Sequence, residues 1–293
     1  MTRIAVLGAG QRAAQIGCEF ALGGCSVVWP AAGEASAASM TEDALRLAAA
    51  HGLAGPADVE RARALASDAT AEGRVALILE AGTGNLDLDE KAKALGALAA
   101  EHPEALVATA SGGVPITELG EAAGVGERIV ALRYGEPPLL QPVVEMLAAR
   151  DTPPRLLDRI SQLLRAIGKR PVTLRRELAG TIAERVEVAV LRECLWLLER
   201  GVADSSQIDE IVRDGLARTW AVSGPLQAAS LEDLGELARV AAAIGHDPAA
   251  EMSLDELAAT RPTDEEEAAR GRRDAALAAA LRAERTRGGG KAM

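Results

Sequence analysis

The chain is poor in aromatic residues, cysteine and histidine. Among its 293 residues there are three Trp, one Tyr, one Phe, three Cys and three His. Base-stacking platforms and cages for quaternary ammonium groups need several aromatic rings, so this composition argues against both. The cysteines form no C-x-x-C pair and leave an odd residue over, which argues against a disulfide framework and against a thiolate metal site. The sequence therefore predicts no metal centre.

Positive charge is also in short supply, with 32 Lys and Arg against 43 Asp and Glu and a net charge of −11. The resulting field repels phosphate backbones and anionic lipid, so neither nucleic acid nor a membrane surface is expected as a partner. No apolar run is long enough for a membrane span, and the first, Ile4–Leu7, is too short for a secretion signal. Together with the unpaired cysteines, this predicts a cytoplasmic protein.

Short apolar runs alternate with helical stretches through the first part of the chain. Strand-like runs are predicted at Ile4–Leu7, Ser26–Trp29, Val75–Leu79, Ala105–Thr109, Ile129–Leu132 and Gly168–Val172. Helices are predicted over residues 11–22, about 35–66 and 88–100. Such alternation is typical of an α/β fold with a doubly wound, mostly parallel sheet, so we expect a Rossmann-like domain.

From Gly180 onward no run resembles a strand. Apolar residues recur every four positions from Ile182 to Leu198, which predicts a helix that ends at Gly201. Further helices are predicted over 206–216, 231–244 and 263–285, followed by a frayed tail over 287–291. The sequence thus predicts a Rossmann-like dinucleotide-binding domain at 1–178 and an all-helical domain at 179–293.

A glycine-rich turn joins the first predicted strand to the first helix. Its sequence is Gly8-Ala9-Gly10-Gln11-Arg12-Ala13, in the strand-turn-helix context that the G-x-G-x-x-G/A pattern requires. Gly8 permits the turn, Gly10 lets a pyrophosphate approach the backbone, and the small Ala13 lets helix and strand pack closely. Free N–H groups at the helix start, with Gln11 and Arg12 beside them, predict a dinucleotide site. A purely structural turn and a solvated Arg12 are the alternatives.

The end of the second strand lacks the acidic residue that grips the ribose of NAD. Trp29-Pro30-Ala31-Ala32 stands there, Glu34 is the nearest carboxylate, and no arginine follows that would hold a 2′-phosphate. The choice between NAD and NADP therefore stays open, and a different nucleotide is a further alternative.

Several segments together resemble the 3-hydroxyacyl-CoA dehydrogenase family. They are Ile4–Gly10, Ile78–Ala81 with Asn85-Leu86, Arg128–Leu132 leading to Val143-Val144-Glu145, Gly168–Val172 and Glu199–Ala203. Trp220–Pro225 is more similar to the branch that acts on free hydroxy acids, such as gulonate and carnitine dehydrogenases. The resemblance implies NAD as the favoured cofactor, Glu80 among the cofactor-binding residues, and a homodimer formed by the helical domain.

The family's catalytic positions are altered. In the family a histidine removes the hydroxyl proton and a glutamate twelve residues later orients it; here the glutamate is Glu145 and the histidine position is Arg133. A guanidinium has a pKa above about 12 and cannot act as a base near neutral pH. The family's substrate-facing serine pair falls on Gly112-Gly113, and two of its asparagines fall on Glu136 and Glu184. We therefore predict that the inherited proton relay is absent.

Two interpretations of these changes stay open. In the first, Arg133 neutralises Glu136, Glu145 and Glu184 in a structural ion-pair cluster. In the second, Arg133, Glu145, Glu184 and Tyr134 are catalytic: Arg133 binds a substrate carboxylate or polarises a carbonyl or imine, and Tyr134 carries the proton. Tyr134 as an ordinary half-buried ring is the alternative for that residue.

The glycine pair Gly112-Gly113 is expected to enlarge the substrate pocket, because two side chains are missing there. The leading hypothesis is an NAD(P)-dependent oxidoreductase acting on a small hydroxy or oxo acid or a related imine, a small-molecule substrate. Its alternative is a catalytically inactive family member kept for binding or assembly.

Overall fold

The computed structural model describes residues 1–8, 10–30, 34–66, 74–82 and 87–231, with short helical pieces at 239–240, 243–244, 274–276 and 278. The chain divides into two compact units, Met1–Val188 and Ala189–Met293. The domain boundary predicted at residue 178 stays a prediction.

The first unit is built on a seven-stranded sheet. Its strands are β1 (Arg3–Leu7), β2 (Ser26–Val28), β3 (Leu77–Glu80), β4 (Leu106–Thr109), β5 (Ile129–Tyr134), β6 (Val143–Ala148) and β7 (Arg170–Thr173). They lie in the order β2-β1-β3-β4-β5-β6-β7, and every neighbouring pair is parallel except β5 and β6. The predicted Rossmann-like α/β fold class is confirmed.

Strand β6 is an addition to the predicted set. The residues between β5 and β6, 135–142, contain a single 3-10 turn, Pro138–Leu140, and no crossover helix. A connection this short can return the chain only as an antiparallel neighbour, because parallel strands need a crossover of a dozen or more residues.

Helices cover both faces of this sheet. They are α1 (Gln11–Leu22), α2 (Glu34–Ala50), α3 (Pro56–Ala66), α4 (Leu88–Glu101), α5 (Ile116–Ala122) and α6 (Pro154–Ala166). The single helix predicted over 35–66 is two helices, since Pro56 has no N–H to continue a helix and opens α3 instead. One set of buried side chains joins the sheet to α1, α2 and α3, and a second set joins it to α4 and α5. The central strands are buried on both faces, as their continuous apolar runs predict.

The second unit is helical in the part that the structure describes. Helix α7 (Ile182–Glu199) runs into it from the first unit, followed by α8 (Ser205–Ile211), a π-helical turn at Val212–Leu216, α9 (Ala217–Ser223) and α10 (Pro225–Ser230). The predicted helix from Ile182 is therefore present, but no residue of α7 is buried. The helices predicted over 231–244 and 263–285 fall largely outside the described residues, and the tail at 287–291 falls wholly outside them.

The described residues offer neither a membrane-spanning helix nor a cluster of metal ligands. They include no helix long and apolar enough to cross a membrane, and they bring no three His, Cys, Asp or Glu side chains together as ligands for a metal ion.

Candidate active site

The glycine turn lies at the carboxyl edge of the sheet, where the strand order reverses between β1 and β3. Gly8 has φ +145°, and a Cβ there would lie 2.6 Å from the carbonyl oxygen of Ala81 and 3.1 Å from the Cβ of Ala13. A glycine at position 8 and a small side chain at position 13 are thus required for β1, β3 and α1 to pack together. At Gly10 an added Cβ would meet no atom of the described residues within 4 Å. In the part of the chain that the structure describes, the space around position 10 is therefore open, as a pyrophosphate needs.

The start of α1 contains no acidic residue of its own. None of the described side chains caps this helix, its first turn holds no acidic residue, and Gln11 is exposed. Arg12, in contrast, is already engaged: its Nε donates to Oε1 of Glu136 at 2.5 Å, and its Nη1 donates to the carbonyl of Ala110 at 3.2 Å. Arg12 links the glycine turn to the loops that follow β4 and β5. Its predicted bond to a pyrophosphate stays a prediction.

Trp29, at the end of β2, faces the protein interior. Its side chain is 3% exposed, and its Nε1 donates to the carbonyl of Ala66 in α3 at 3.2 Å. A Cβ at Gly17 of α1 would lie 2.6 Å from the indole ring, so the ring packs directly on that helix. Trp29 therefore offers no group to a ribose. Residues 31–33 lie outside the described residues.

A polar cluster occupies the carboxyl ends of β3, β4 and β5. We call it the edge cluster; its members are Glu80, Lys91, Thr109, Ser111 and Arg133. Glu80 is fully buried. Its Oε1 accepts from the backbone N–H of Gly82 at 3.1 Å, and its Oε2 accepts from Thr109 Oγ1 at 2.5 Å and from Ser111 Oγ. Glu80, which the resemblance places among the cofactor-binding residues, thus bonds its own chain in this structure.

Lys91 reaches the edge cluster from α4 and is 4% exposed. Its Nζ donates to Ser111 Oγ at 3.0 Å and to the carbonyl of Gly112 at 3.2 Å. Sequence reasoning missed Lys91, Thr109 and Ser111. For Thr109 and Ser111 a signal was available, because polar residues directly after a predicted parallel strand lie at the ligand-binding edge. For Lys91 there was none, since its helix position alone does not show that it is buried.

Arg133, the last residue but one of β5, is a half-buried cation. Its Nη1 donates to the carbonyl of Ser111 and, at 3.4 Å, to that of Thr109. Burial lowers the pKa of the guanidinium, while the negative charges of Glu80 and Glu184 raise it. Arginine remains protonated at neutral pH despite such shifts. The edge cluster therefore contains a permanent positive charge.

Glu145 and Glu184 both bond the start of α7. Glu145 lies opposite Arg133 in the register of β5 and β6, yet its two oxygens accept from the N–H groups of Ile182 at 2.9 Å and Ala183 at 3.1 Å. Thr181 and Glu184 form a capping box: Oγ1 of Thr181 accepts from the N–H of Glu184 at 2.9 Å, and Oε2 of Glu184 accepts from the N–H of Thr181 at 2.8 Å.

The four charged residues of the predicted ion-pair cluster are therefore not gathered into one group. Glu136 pairs with Arg12, and Arg133 donates to backbone carbonyls. Glu145 and Glu184 satisfy the free N–H groups that every helix start carries. The structure explains these carboxylates as helix-capping and loop-linking groups, and their predicted catalytic role stays a prediction.

Tyr134 lies on the opposite face of the sheet from Arg133, because successive side chains of a strand alternate. It is 7% exposed and belongs to the core packed under α1. Burial, and to a lesser degree the charge of Glu19, raises the pKa of its hydroxyl well above the usual value. The structure does not bring Tyr134 to the edge cluster, so its position does not suit the predicted proton carrier.

Near Tyr134 the side chains of Glu19 and Lys169 lie in direct contact, each 6% exposed, and we call them the buried pair. Lys169 Nζ also donates to the carbonyls of Pro138 and Gln141 at 2.7 Å each, and lies 5.9 Å from the centre of the tyrosine ring. Burial raises the pKa of Glu19 to about 8, although the ammonium of Lys169 opposes the shift.

Gly112 and Gly113 follow β4 in an exposed loop beside the edge cluster. An added Cβ at either position would meet no described atom within 4 Å, so the described residues leave open the space that two serine side chains would occupy. Gly113 has φ +89°, a conformation that favours glycine. The predicted enlargement of the pocket fits this geometry and stays a prediction.

A doubly wound sheet with an open glycine turn at its switch point defines a dinucleotide-binding domain. The chain belongs to the 3-hydroxyacyl-CoA dehydrogenase family: residues 3–178 match the family's NAD binding domain and residues 180–269 match its C-terminal domain. The resemblance inferred from the sequence motifs is confirmed.

Among its relatives is a 5-formyl-3-hydroxy-2-methylpyridine 4-carboxylate 5-dehydrogenase of Mesorhizobium japonicum, 36% identical over 123 residues, or 42% of this chain and 40% of that protein. An L-carnitine dehydrogenase of Burkholderia mallei is 34% identical over 125 residues, or 43% of this chain and 39% of that protein. The aligned region thus spans less than half the length of these curated relatives.

Two solved structures extend the likeness. A 5-formyl-3-hydroxy-2-methylpyridine 4-carboxylic acid 5-dehydrogenase, described as an NAD⁺-dependent dismutase, has a TM-score of 0.67 and 25% identity, and the match covers 95% of this chain and 97% of that one. A diketoreductase has a TM-score of 0.65 and 24% identity over 74% of this chain and 79% of that one. The second likeness shows the fold alone.

Proposed function

We propose that the protein is an NAD(P)-dependent oxidoreductase that acts on a small hydroxy or oxo acid or a related imine. The observation that carries the proposal is the open space at Gly10 on the same edge of the sheet as the permanent cation Arg133. The glycine turn and the uncapped start of α1 would hold the pyrophosphate of the cofactor. When bound, the nicotinamide accepts hydride from the substrate carbon or donates hydride to it. NAD is the favoured form because the family's domain binds NAD.

Arg133 would bind the carboxylate of the substrate. The carbonyls of Thr109 and Ser111 hold one nitrogen of the guanidinium, which fixes its orientation and leaves the planar group able to donate to a carboxylate. Partial burial strengthens such a bond, because the local dielectric constant is lower than that of water. The relative that acts on a pyridine 4-carboxylate supports an acidic substrate. The open loop at Gly112-Gly113 would accommodate the rest of the molecule.

A specific observation favours a second candidate, a catalytically inactive family member kept for binding or assembly. Glu145, Glu184 and Glu136 are all bonded to groups of this chain, in arrangements that need no ligand. A former active site whose charges have been absorbed into structural roles would have these contacts.

We also propose that the protein is a cytoplasmic homodimer. The apolar side chains on α7 support an interface between copies, since Leu191 is 54% exposed, Leu195 51% and Trp196 46%. Light scattering after size exclusion should give twice the mass of the chain. A monomer mass at micromolar concentration would contradict the dimer.

Cofactor binding is tested by the change Gly10→Val. Position 10 has φ −109° and open space around it, so the fold should accept the side chain while the approach of a pyrophosphate is blocked. We expect wild type to bind NADH or NADPH in calorimetry, and the variant to lose that binding with an unchanged melting temperature. Ala100→Val, on the exposed end of α4, is the control and should bind like wild type.

Activity is tested with a panel of oxo acids and imines and either reduced cofactor at high enzyme concentration. Turnover of one of them supports the oxidoreductase. Cofactor binding without turnover of any panel member would contradict it, and the absence of binding at millimolar cofactor would favour the inactive candidate.

A further inference from the structure

The proposed reaction moves a proton as well as a hydride, and the four residues that the sequence predicts as catalytic are poorly placed to carry that proton. Arg133 cannot release a proton near neutral pH. Glu145 has both oxygens bonded to the start of α7, and Glu184 is held in its capping box. Tyr134 faces the core on the other side of the sheet. Any proton carrier must therefore be found elsewhere at the carboxyl edge.

Ser111 is the centre of the edge cluster. Its Oγ accepts from Lys91 Nζ at 3.0 Å and lies within hydrogen-bond distance of Glu80 Oε2 and, at 3.3 Å, of Thr109 Oγ1. Its carbonyl accepts from Arg133. Ser111 is partly exposed, while Lys91 behind it is buried. A proton can therefore pass from an interior ammonium to a hydroxyl at the surface of the site.

We propose that Ser111 and Lys91 form the proton relay of this protein, with Ser111 as the catalytic residue and Lys91 as its proton source. The inference rests on the proposed function, because it assigns the proton transfer of that reaction. Lysine is protonated near neutral pH, and buried lysines are established acid-base groups in other enzymes. Glu80 keeps its bonds to Gly82 and Thr109 when the Ser111 hydroxyl turns toward substrate.

In the reductive direction the carbonyl π bond breaks, a C–H bond forms with the hydride of the reduced nicotinamide, and an O–H bond forms with the Ser111 proton. Lys91 passes a proton to Ser111 Oγ as that hydroxyl gives up its own. Lys91 is left as a neutral amine and regains a proton from water after the product leaves. Arg133 holds the substrate carboxylate beside the reacting carbon throughout. Oxidation follows the same path in reverse.

The test uses Lys91→Arg, Lys91→Met and Ser111→Ala in the full chain, assayed with whichever oxo acid wild type reduces. Removing a general acid typically costs on the order of 10²–10⁴ in rate, so we expect kcat to fall at least about 100-fold in each variant with KM unchanged. Lys91→Arg is the decisive variant, because arginine keeps the charge and the donors but cannot release the proton. If Lys91 were only a structural cation, this variant would keep the wild-type kcat. Lys93→Met, on the exposed side of the same helix, is the matched control and should keep the wild-type rate.

A second readout separates folding and binding from proton transfer. Calorimetry should show that each variant binds the oxidised cofactor, and the oxo acid in its presence, with wild-type affinity, and each should melt cooperatively. A wild-type kcat in Lys91→Arg or in Ser111→Ala would overturn the relay. If wild type itself turns over no member of the panel, the proposed function fails and the relay fails with it. If wild type turns over a substrate and Lys91→Arg or Ser111→Ala keeps the wild-type rate, the relay is rejected and the proposed function stands.

Discussion

The edge cluster and the buried pair place similar charged residues in two different surroundings. Both contain a lysine and a glutamate that are at least nine-tenths buried. In the edge cluster the charges are separated by hydroxyl groups, and the cluster lies beside open space at Gly10 and Gly112. In the buried pair Glu19 and Lys169 touch directly, and the ammonium is further bonded to two carbonyls. Access to solvent and ligand, rather than composition, distinguishes a candidate site from a structural contact.

The largest expected effect concerns the pH dependence of the buried pair. The pKa of Glu19 rises from 4.5 to about 8 in the folded protein, because burial disfavours the carboxylate. Between these values the native state binds a proton that the unfolded state has released, so the free energy of unfolding falls as pH rises through the window. Relative to Glu19→Gln, wild type should lose about 1.4 kcal/mol for each pH unit between 5 and 8. Urea unfolding at several pH values measures the difference.

The control for this prediction is Glu121→Gln, which removes a carboxylate from the exposed ion pair with Arg150. Exposed pairs contribute about 0–1 kcal/mol, so this variant should follow wild type closely across the same range. If the difference in free energy of unfolding between wild type and Glu19→Gln instead stays constant with pH, Glu19 is ionised beside Lys169. That result would contradict the prediction.

A somewhat smaller effect is expected at the cation of the edge cluster. Arg133→Met should lower kcat/KM for an oxo acid by about 10²–10³-fold, a loss comparable to removing one strong donor from an active site. Steady-state kinetics with the substrate identified for wild type measures it. The melting temperature should also fall, because the carbonyls of Thr109 and Ser111 lose their donor, so kcat/KM is measured at a temperature where the variant is folded.

Arg128 provides the matched control at the other end of β5. Its guanidinium donates to the carbonyls of Ala99, His102 and Ala105, at the edge of the sheet away from the glycine turn. Arg128→Met should lower the melting temperature, because these carbonyls lose their donor, and should leave kcat/KM unchanged. Equal kinetic losses in the two variants would show that the edge cluster has no special role.

The smallest effect is expected at Glu145. Because its oxygens accept from two N–H groups at the start of α7, Glu145→Ala should lower the free energy of unfolding by about 0.5–2 kcal/mol, as the loss of a helix cap does. Denaturant unfolding measures the change, and Glu187→Ala on the exposed surface of α7 should have less effect. A large loss of kcat with unchanged stability would instead return Glu145 to the catalytic residues.

The fold was predictable because its signals are local. The apolar run of β1, the glycine turn and the helix α1 follow one another within the first residues of the chain, and each obeys a rule that needs no distant partner. Strand β6 was not predicted, because only two of its six residues are buried and its apolar pattern is weak beside those of the central strands. The contrast shows that buried parallel strands give the clearest signal.

The site was predictable only in part. The position of Arg133 beside the site follows from its place at the end of a strand, but the two helix caps formed by Glu145 and Glu184 do not, since they depend on where α7 begins relative to β6. Tyr134 was assigned to the site although strand alternation alone places it on the face opposite Arg133. Strand alternation was thus an available signal for where its side chain lies, and its role as a proton carrier stays a prediction.

The sequence by itself determined the alternation of buried strands with helices and the glycine turn, because each depends on residues close together in the chain. Tertiary structure alone decided that Lys91 meets Ser111, that Lys169 meets Glu19 and that Trp29 turns into the core. The physical reason is that a charged or aromatic side chain is buried only where distant segments supply its partners. Those partners become neighbours only when the sheet and its helices have assembled.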